Sequence, residues 1–204
     1  MFKNLIIFIL FISFSNSAFT DNNSIFRAGF VAGFNASQVD GDRIRGYNKF
    51  GFNGGITSMI NLSEKFSLNI DIAYSQKGAK STLENTAPDK SYFLQLDYID
   101  VPVVFQYHDF ERVLLGAGLS VNAQVRYREI INDFPVHEVE STPYSRFDLN
   151  ALASAGFLFT EDFGAQLRFA YSIIPVRPAP PSQQDFWRSI QFNNLFSLRV
   201  FYFL

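Results

Sequence analysis

The sequence has no cysteine and only two histidines among its 204 residues. The absence of cysteine excludes disulfides, thiolate nucleophiles and cysteine-based metal sites. The net charge of -2 gives no basic surface to attract nucleic acid. Long apolar runs are also scarce, because no segment after residue 18 has the ~18 consecutive apolar residues of a membrane-spanning helix. We therefore predict no metal, no cofactor and no nucleic-acid partner, and any membrane insertion has to use strands.

The first 18 residues have the pattern of a secretory signal peptide. Lys3 supplies a positive start, residues 5–14 are apolar, and residues 15–18 are mostly small. Cleavage is predicted near residues 17–20, which leaves one domain over residues 24–204. An uncleaved anchor or a buried strand is the alternative for this segment.

Eight later segments alternate apolar and polar residues with the period of two that is typical of a β-strand. They cover residues 26–35, 50–60, 66–76, 92–106, 113–128, 147–159, 163–173 and 190–204. In the clearest segment the odd-numbered positions from Val113 to Tyr127 are all apolar or aromatic, whereas the even-numbered ones include Gly116 and Arg126. A strand that crosses a bilayer needs ~9–11 residues, which is about twice the usual length of a strand in a soluble protein. The length of these segments favours a membrane.

The connections between the segments alternate in length. Residues 61–65, 108–112 and 160–162 form tight turns, whereas residues 36–49, 77–91, 129–146 and 175–189 form long polar loops. Bacterial outer-membrane barrels have an even number of strands, short periplasmic turns and longer extracellular loops. We predict an all-β fold, an eight-stranded antiparallel up-and-down transmembrane β-barrel in the outer membrane of a Gram-negative bacterium. Both chain ends then lie in the periplasm.

Aromatic residues on the apolar faces gather at the strand ends, where they would meet the lipid headgroups. The predicted lower girdle contains Phe26, Phe66, Phe105, Phe159, Phe163 and Tyr202, and the upper girdle contains Phe34, Tyr74, Tyr92, Tyr127, Phe147, Tyr171 and Phe192. The fourth segment changes phase, and we place a β-bulge near Tyr98 and Ile99 to explain it. The alternative to a membrane barrel is a soluble barrel whose aromatic residues fill the core.

Nine charged residues fall on the polar sides of the alternating segments, which a membrane barrel would turn toward its lumen. They are Arg27, Asp71, Asp97, Asp100, Arg126, Arg128, Asp148, Arg168 and Arg199. A barrel of eight strands is just wide enough for side chains to fill it, and buried charges need partners. We predict a structural ionic network in the lumen formed by Arg27, Asp71, Asp97, Asp100, Arg126, Asp148, Arg168 and Arg199. A selective pore or a proton path is the alternative.

Several short motifs resemble those of the PorT-like family of small outer-membrane β-barrels. They lie at residues 29–37, 51–55, 74–78, 98–102 and 116–118, and the Tyr-Ser-Gln-Lys-Gly and Ile-Asp-Val-Pro elements are the most specific. The resemblance implies a monomeric outer-membrane barrel, in a family whose founding member is linked to protein secretion. Asp71 stands where the family often has Glu, and the chain ends in Leu204 where such barrels commonly end in an aromatic residue.

These patterns predict a structural, adhesive or secretion-accessory role that uses the extracellular loops. The expected partners are outer-membrane lipid, lipopolysaccharide and a protein at the loops. One alternative is a lipid-modifying enzyme, because His137, Glu138, Glu140 and Ser141 could form a hydrolase-like set if they met in space. The other alternative is a narrow solute channel. No motif or fixed spacing supports the hydrolase set, so we predict that the protein is not an enzyme.

Overall fold

The computed structural model describes residues 25–42, 44, 46–81, 91–109, 112–132, 134–135, 143–178 and 190–204. The predicted signal peptide lies outside these residues. Within the described ranges, no helix is both long and apolar enough to cross a membrane.

The described residues form nine β-strands: β1 (Phe26–Asp40), β2 (Lys49–Ser63), β3 (Phe66–Lys80), β4 (Tyr92–Asp109), β5 (Val113–Ile131), β6 (Phe134–Pro135), β7 (Phe147–Leu158), β8 (Phe163–Ser172) and β9 (Phe192–Phe203). The eight long strands pair antiparallel with their neighbours along the chain, and β1 pairs with β9 to close the ring. The two-residue strand β6 pairs with the end of β5. The predicted eight-stranded antiparallel barrel is confirmed.

The two ends of the barrel differ in their connections. One end carries the short connections from β2 to β3, β4 to β5 and β7 to β8, together with the start of β1 and the end of β9. We call it the turn end. The opposite end, which we call the loop end, carries the longer connections around residues 41–48, 81–91, 132–146 and 173–191.

Several strands continue past the predicted boundaries at the loop end. β1 reaches Asp40, β3 reaches Lys80 and β5 reaches Ile131, although the alternation of apolar and polar residues fades there. The backbone ladder between β1 and β2 nevertheless extends to the pair Ser37 and Lys49. Main-chain hydrogen bonds need no particular side chain, so the ladder outlasts the sequence pattern.

The predicted β-bulge exists, but it lies on the other strand. Asp97 faces Arg126 and Tyr98 faces Gln124, so Val125 of β5 is the extra residue. β4 keeps a single phase, and the predicted outward face of its first half is wrong: Leu94, Leu96 and Tyr98 point inward and are fully buried. Pro102 lies in β4 where the ladder to β3 skips two pairs, between Val103 and Asp100, because proline has no N–H to donate.

The outer wall of the barrel is apolar around most of its circumference. All six aromatic residues of the predicted lower girdle are exposed at the turn end. In the predicted upper girdle Phe34 and Phe147 are exposed, but Tyr92 and Tyr127 instead pack against buried residues inside the loop end. An exposed apolar surface of this extent indicates a lipid environment, since soluble monomers rarely expose large contiguous apolar patches.

Candidate functional site

Asp71 is the centre of the ionic network inside the barrel. Its Oδ2 accepts hydrogen bonds from Nη2 of Arg168 at 3.2 Å and from Nη2 of Arg199 at 2.7 Å, and its Oδ1 accepts one from the Thr57 hydroxyl at 2.7 Å. The carboxylate is 1% exposed. Four strands therefore meet at one buried carboxylate, because β2, β3, β8 and β9 each supply an inward residue.

A second ion pair lies nearer the loop end. Lys77 donates from Nζ to Oδ1 of Asp100 at 2.9 Å and to Oδ1 of Asn150 at 3.4 Å. The side-chain amide of Asn150 in turn donates to Oδ2 of Asp148 at 2.9 Å, and that of Asn193 donates to the same oxygen at 3.0 Å. Sequence reasoning placed Lys77 in a loop, although its position two residues after Ser75 continues the inward period of β3.

The predicted network residues do not all meet in the lumen. Arg27 pairs with Asp162 at the turn end, where the two side chains are 20% and 51% exposed. Asp97 is buried, but it belongs to the outward set of β4 and accepts from the Gln95 amide at 2.9 and 3.3 Å.

The predicted inward orientation of Arg126 and Arg128 is wrong. Both side chains are exposed, whereas Glu129, the next residue of β5, is buried. The extra residue Val125 shifts the alternation of β5 by one position. Arg126 and Arg128, near the end of the strand, therefore point to the outside of the barrel. An inward arginine pair would have met an apolar interior there.

Apolar side chains occupy the lumen at both ends. The turn-end cluster consists of Val31, Met59, Leu114, Leu158, Phe201 and Phe203. The loop-end cluster consists of Val39, Ala79, Leu94, Leu96, Tyr98 and Tyr144, with Tyr92 and Tyr127 packed against it. A further group, Val104, Leu152, Ala170 and Leu195, packs at mid-height beside the charges. The charged layer is thus sandwiched between two apolar layers.

Two small cavities lie within the described part of the lumen. Cavities of about 30 and 20 Å³ lie beside the charged layer, and both are lined by Arg199. The Nε atoms of Arg168 and Arg199 have no hydrogen-bond partner among the described protein atoms. Polar cavities of this size accommodate about one water molecule each. A water molecule there can accept a hydrogen bond from either Nε atom.

A polar clasp ties two loops to the loop end of the barrel. Arg177 donates to both carboxylate oxygens of Glu129, at 3.2 and 3.4 Å, and to the Tyr144 hydroxyl at 3.1 Å. The Tyr92 hydroxyl also donates to Glu129, at 3.0 Å. The guanidinium of Arg177 lies over the Tyr144 ring, 4.6 Å from its centroid. Burial raises the pKa of the Tyr144 phenol, so it stays a neutral donor and acceptor.

Asp42 is a partly buried acid in the loop between β1 and β2. Its Oδ1 accepts a hydrogen bond from the Ile44 amide at 2.8 Å, while Oδ2 is buried with no hydrogen-bond partner among the described atoms. Burial raises the pKa of this carboxyl to about 7, and the nearby Asp40 acts in the same direction. The side chain therefore titrates near neutral pH.

Metal-ligating side chains do not cluster in the part of the chain that the structure describes. No group of three or more histidine, cysteine, aspartate or glutamate side chains in the described ranges could hold a metal ion. The hydrolase-like set of His137, Glu138, Glu140 and Ser141 lies outside the described residues.

Comparison with known proteins agrees with the barrel. The family model of the outer membrane protein beta-barrel domain matches residues 14–177. The chain belongs to this family. It is therefore an outer-membrane β-barrel protein.

Solved structures of outer-membrane proteins match the chain at low sequence identity. Ail, the attachment invasion locus protein of Yersinia pestis, solved with the heparin analogue sucrose octasulfate, has a TM-score of 0.52 and 13% identity over 89% of this chain and 100% of that chain. Neisserial surface protein A has a TM-score of 0.49 and 12% identity over 88% of this chain and 97% of that chain. No curated protein matches the sequence. The likeness to Ail shows the common fold.

Proposed function

We propose that the protein is a closed outer-membrane barrel that acts through its loops, in an adhesive, structural or secretion-accessory role. The observation that carries this proposal is the filled lumen, in which Asp71, Arg168 and Arg199 lie between two apolar clusters. The clasp of Arg177, Glu129 and Tyr144 supports it, because a loop held in place before binding loses less entropy when a partner binds.

The proposed orientation puts the loop end outside the cell and the turn end in the periplasm, as the lengths of the connections favour. Cysteine introduced as Asn85→Cys, Asp133→Cys or Gln183→Cys should react with a membrane-impermeant thiol reagent on intact cells. Ser63→Cys and Asp109→Cys should react only after lysis. The native chain has no cysteine, so it gives no background. Labelling of Ser63→Cys in sealed cells would reverse the orientation.

The charges in the lumen act as a plug in this proposal, and the barrel does not conduct. Purified protein in planar bilayers should pass no stable single-channel current. If the same charges instead lined a pore, the wild-type protein would conduct, and replacement of Asp71 would change its ion selectivity. Reproducible large currents from the wild-type protein would move the narrow channel to first place.

The proposed working surface contacts a protein partner and the lipopolysaccharide around the barrel, and the barrel itself is a monomer without enzymatic activity. A photo-crosslinking amino acid placed at Asn85 or Gln183 in living cells should trap a partner. The same amino acid at Glu64, in an exposed turn at the opposite end, is the matched control. Membership of the PorT-like branch within the wider family stays a prediction that rests on the sequence motifs.

A further inference from the structure

We propose that the outer wall of the barrel carries a binding site for the phosphate groups of lipopolysaccharide, on β3, β4 and β5 at the loop end. The site, which we call the basic seam, consists of Lys80, Arg126 and Arg128. All three side chains are exposed. The inference rests on the proposed orientation, which puts this end of the barrel in the outer leaflet.

The strand register brings these cations together. Gln95 of β4 pairs with Arg128, and Asp97 pairs with Arg126, while Lys80 of β3 pairs with Phe93 of the same β4 strand. Neighbouring strands lie ~4.8 Å apart, and residues two positions apart on a strand are separated by ~6.8 Å. The two guanidiniums are therefore adjacent on β5, and the ammonium group lies two strands away at the same end. Long side chains can converge over such spans.

Among the described residues, the three cations of the seam share their outer face with a single acid, so the seam keeps a net positive charge. That acid is Asp97, which pairs with Arg126 across the strands, is 2% exposed and accepts from the Gln95 side-chain amide. No ion pair or side-chain hydrogen bond joins Lys80, Arg126 or Arg128 to another described residue. The backbone carbonyl of Arg146, a further exposed cationic residue, accepts from the Gln124 backbone N–H at 2.8 Å, which puts its main chain beside β5 at the same end. Exposed like charges this close repel one another, so an anion between them would be stabilised.

The height of the seam on the wall identifies its occupant. Below it on the same outer face, Val121 and Val125 of β5 and Val101 of β4 are exposed and apolar. The seam therefore lies at the rim of the apolar band, which is the level of the lipid headgroups. A soluble partner would approach the loops, whereas a ligand on the wall has to come from the bilayer. Guanidinium groups bind phosphate through paired N–H donors, which fits a phosphorylated headgroup.

The bulge at Val125 makes the site. Without the extra residue, Arg126 and Arg128 would alternate into the lumen, and Tyr127 would face the lipid. Bulges interrupt a ladder and commonly re-aim a side chain for function. Here a single residue moves two cations from an apolar interior to the headgroup level.

Binding of lipopolysaccharide to purified full-length protein in zwitterionic detergent tests the site. We expect Arg126→Gln with Arg128→Gln to weaken binding by about tenfold or more, as the loss of charge-assisted hydrogen bonds does. Lys80→Gln alone should weaken it less. The matched control is Lys65→Gln with Arg112→Gln, which removes two exposed cations at the turn end and should leave the affinity unchanged.

Three results would overturn the proposal. They are equal affinity of the wild type and the double variant, equal affinity for intact and dephosphorylated lipopolysaccharide, and competition by free inorganic phosphate as strong as by the lipid itself. All variants are checked for folding by the heat-dependent gel shift of β-barrels, and substitution of exposed residues should preserve it. Cysteine labelling on cells tests the orientation separately, so failure of the seam and failure of the proposed orientation give different results.

Discussion

The turn end and the loop end of this barrel use the same strands but follow different rules. At the turn end the alternation of apolar and polar residues continues to the last residues, and Phe26, Phe66 and Phe163 face outward as the sequence pattern requires. At the loop end Leu94, Leu96 and Tyr98 point inward, and Arg126 faces outward. The difference shows that a strand leaving the hydrocarbon region is free of the requirement for an apolar outer face. Packing inside the barrel then decides where each side chain points.

The largest expected effect is the difference in stability lost when a buried charge or a partly exposed charge is removed. Asp71→Ala leaves Arg168 and Arg199 buried without their carboxylate, so we expect a loss of about 3–5 kcal/mol of unfolding free energy. Arg27→Ala removes the partly exposed pair with Asp162 at the turn end and should cost about 1 kcal/mol or less. Urea unfolding from lipid vesicles measures both. Similar losses for the two variants would contradict a buried network.

The next effect compares two heights on the outer face of β5. Leu119→Arg puts a charge on an exposed apolar position and should cost about 2–4 kcal/mol if that position lies near the bilayer midplane. Val125→Arg makes the same change on the same strand at the rim, where the cost should be about 0–1 kcal/mol. Equal costs in the same vesicles would show that the apolar band does not end below the basic seam.

A smaller and more local effect should follow from opening the clasp. Glu129→Gln removes the charge that Arg177 and the Tyr92 hydroxyl contact, and we expect a loss of about 1–3 kcal/mol that falls mainly on residues 143–146 and 173–178. Hydrogen exchange of these segments measures it. Glu64→Gln, at an exposed turn, should change nothing. Faster exchange spread evenly over the barrel would argue against a clasp that acts on the loops alone.

The smallest effect is the pH response of the loop between β1 and β2. The pKa of Asp42 is raised from 3.8 to about 7 in the folded protein. A raised pKa means that the folded state binds the proton more tightly, so the stabilisation is complete below about pH 4 and is lost as the pH rises through 7. Asp42→Asn should remove this dependence between pH 4 and 7. Thermal unfolding across that range tests it, and an unchanged pH profile in the variant would exclude Asp42 as the source.

The sequence by itself determined the barrel, because a bilayer imposes one physical requirement over a long stretch of every strand. Outward side chains in hydrocarbon have to be apolar, and inward side chains in a narrow lumen have to be small or form ion pairs. Together these two requirements produce the alternation of apolar and polar residues along each strand. That requirement made the strand number, the alternating connections and the inward positions of Asp71, Arg168 and Arg199 readable from the residues alone.

Only the tertiary structure decided the arrangement at the loop end and the partners of the charges. The extra residue of the bulge could lie on β4 or on β5, and the sequence does not distinguish the two. It lies on β5, at Val125, because Leu94, Leu96 and Tyr98 of β4 fill the interior of the barrel. The pairing of Lys77 with Asp100 and of Arg177 with Glu129 joins residues that are distant in sequence. Such contacts depend on which strands lie opposite each other across the closed ring, and a period along one strand carries no information about that.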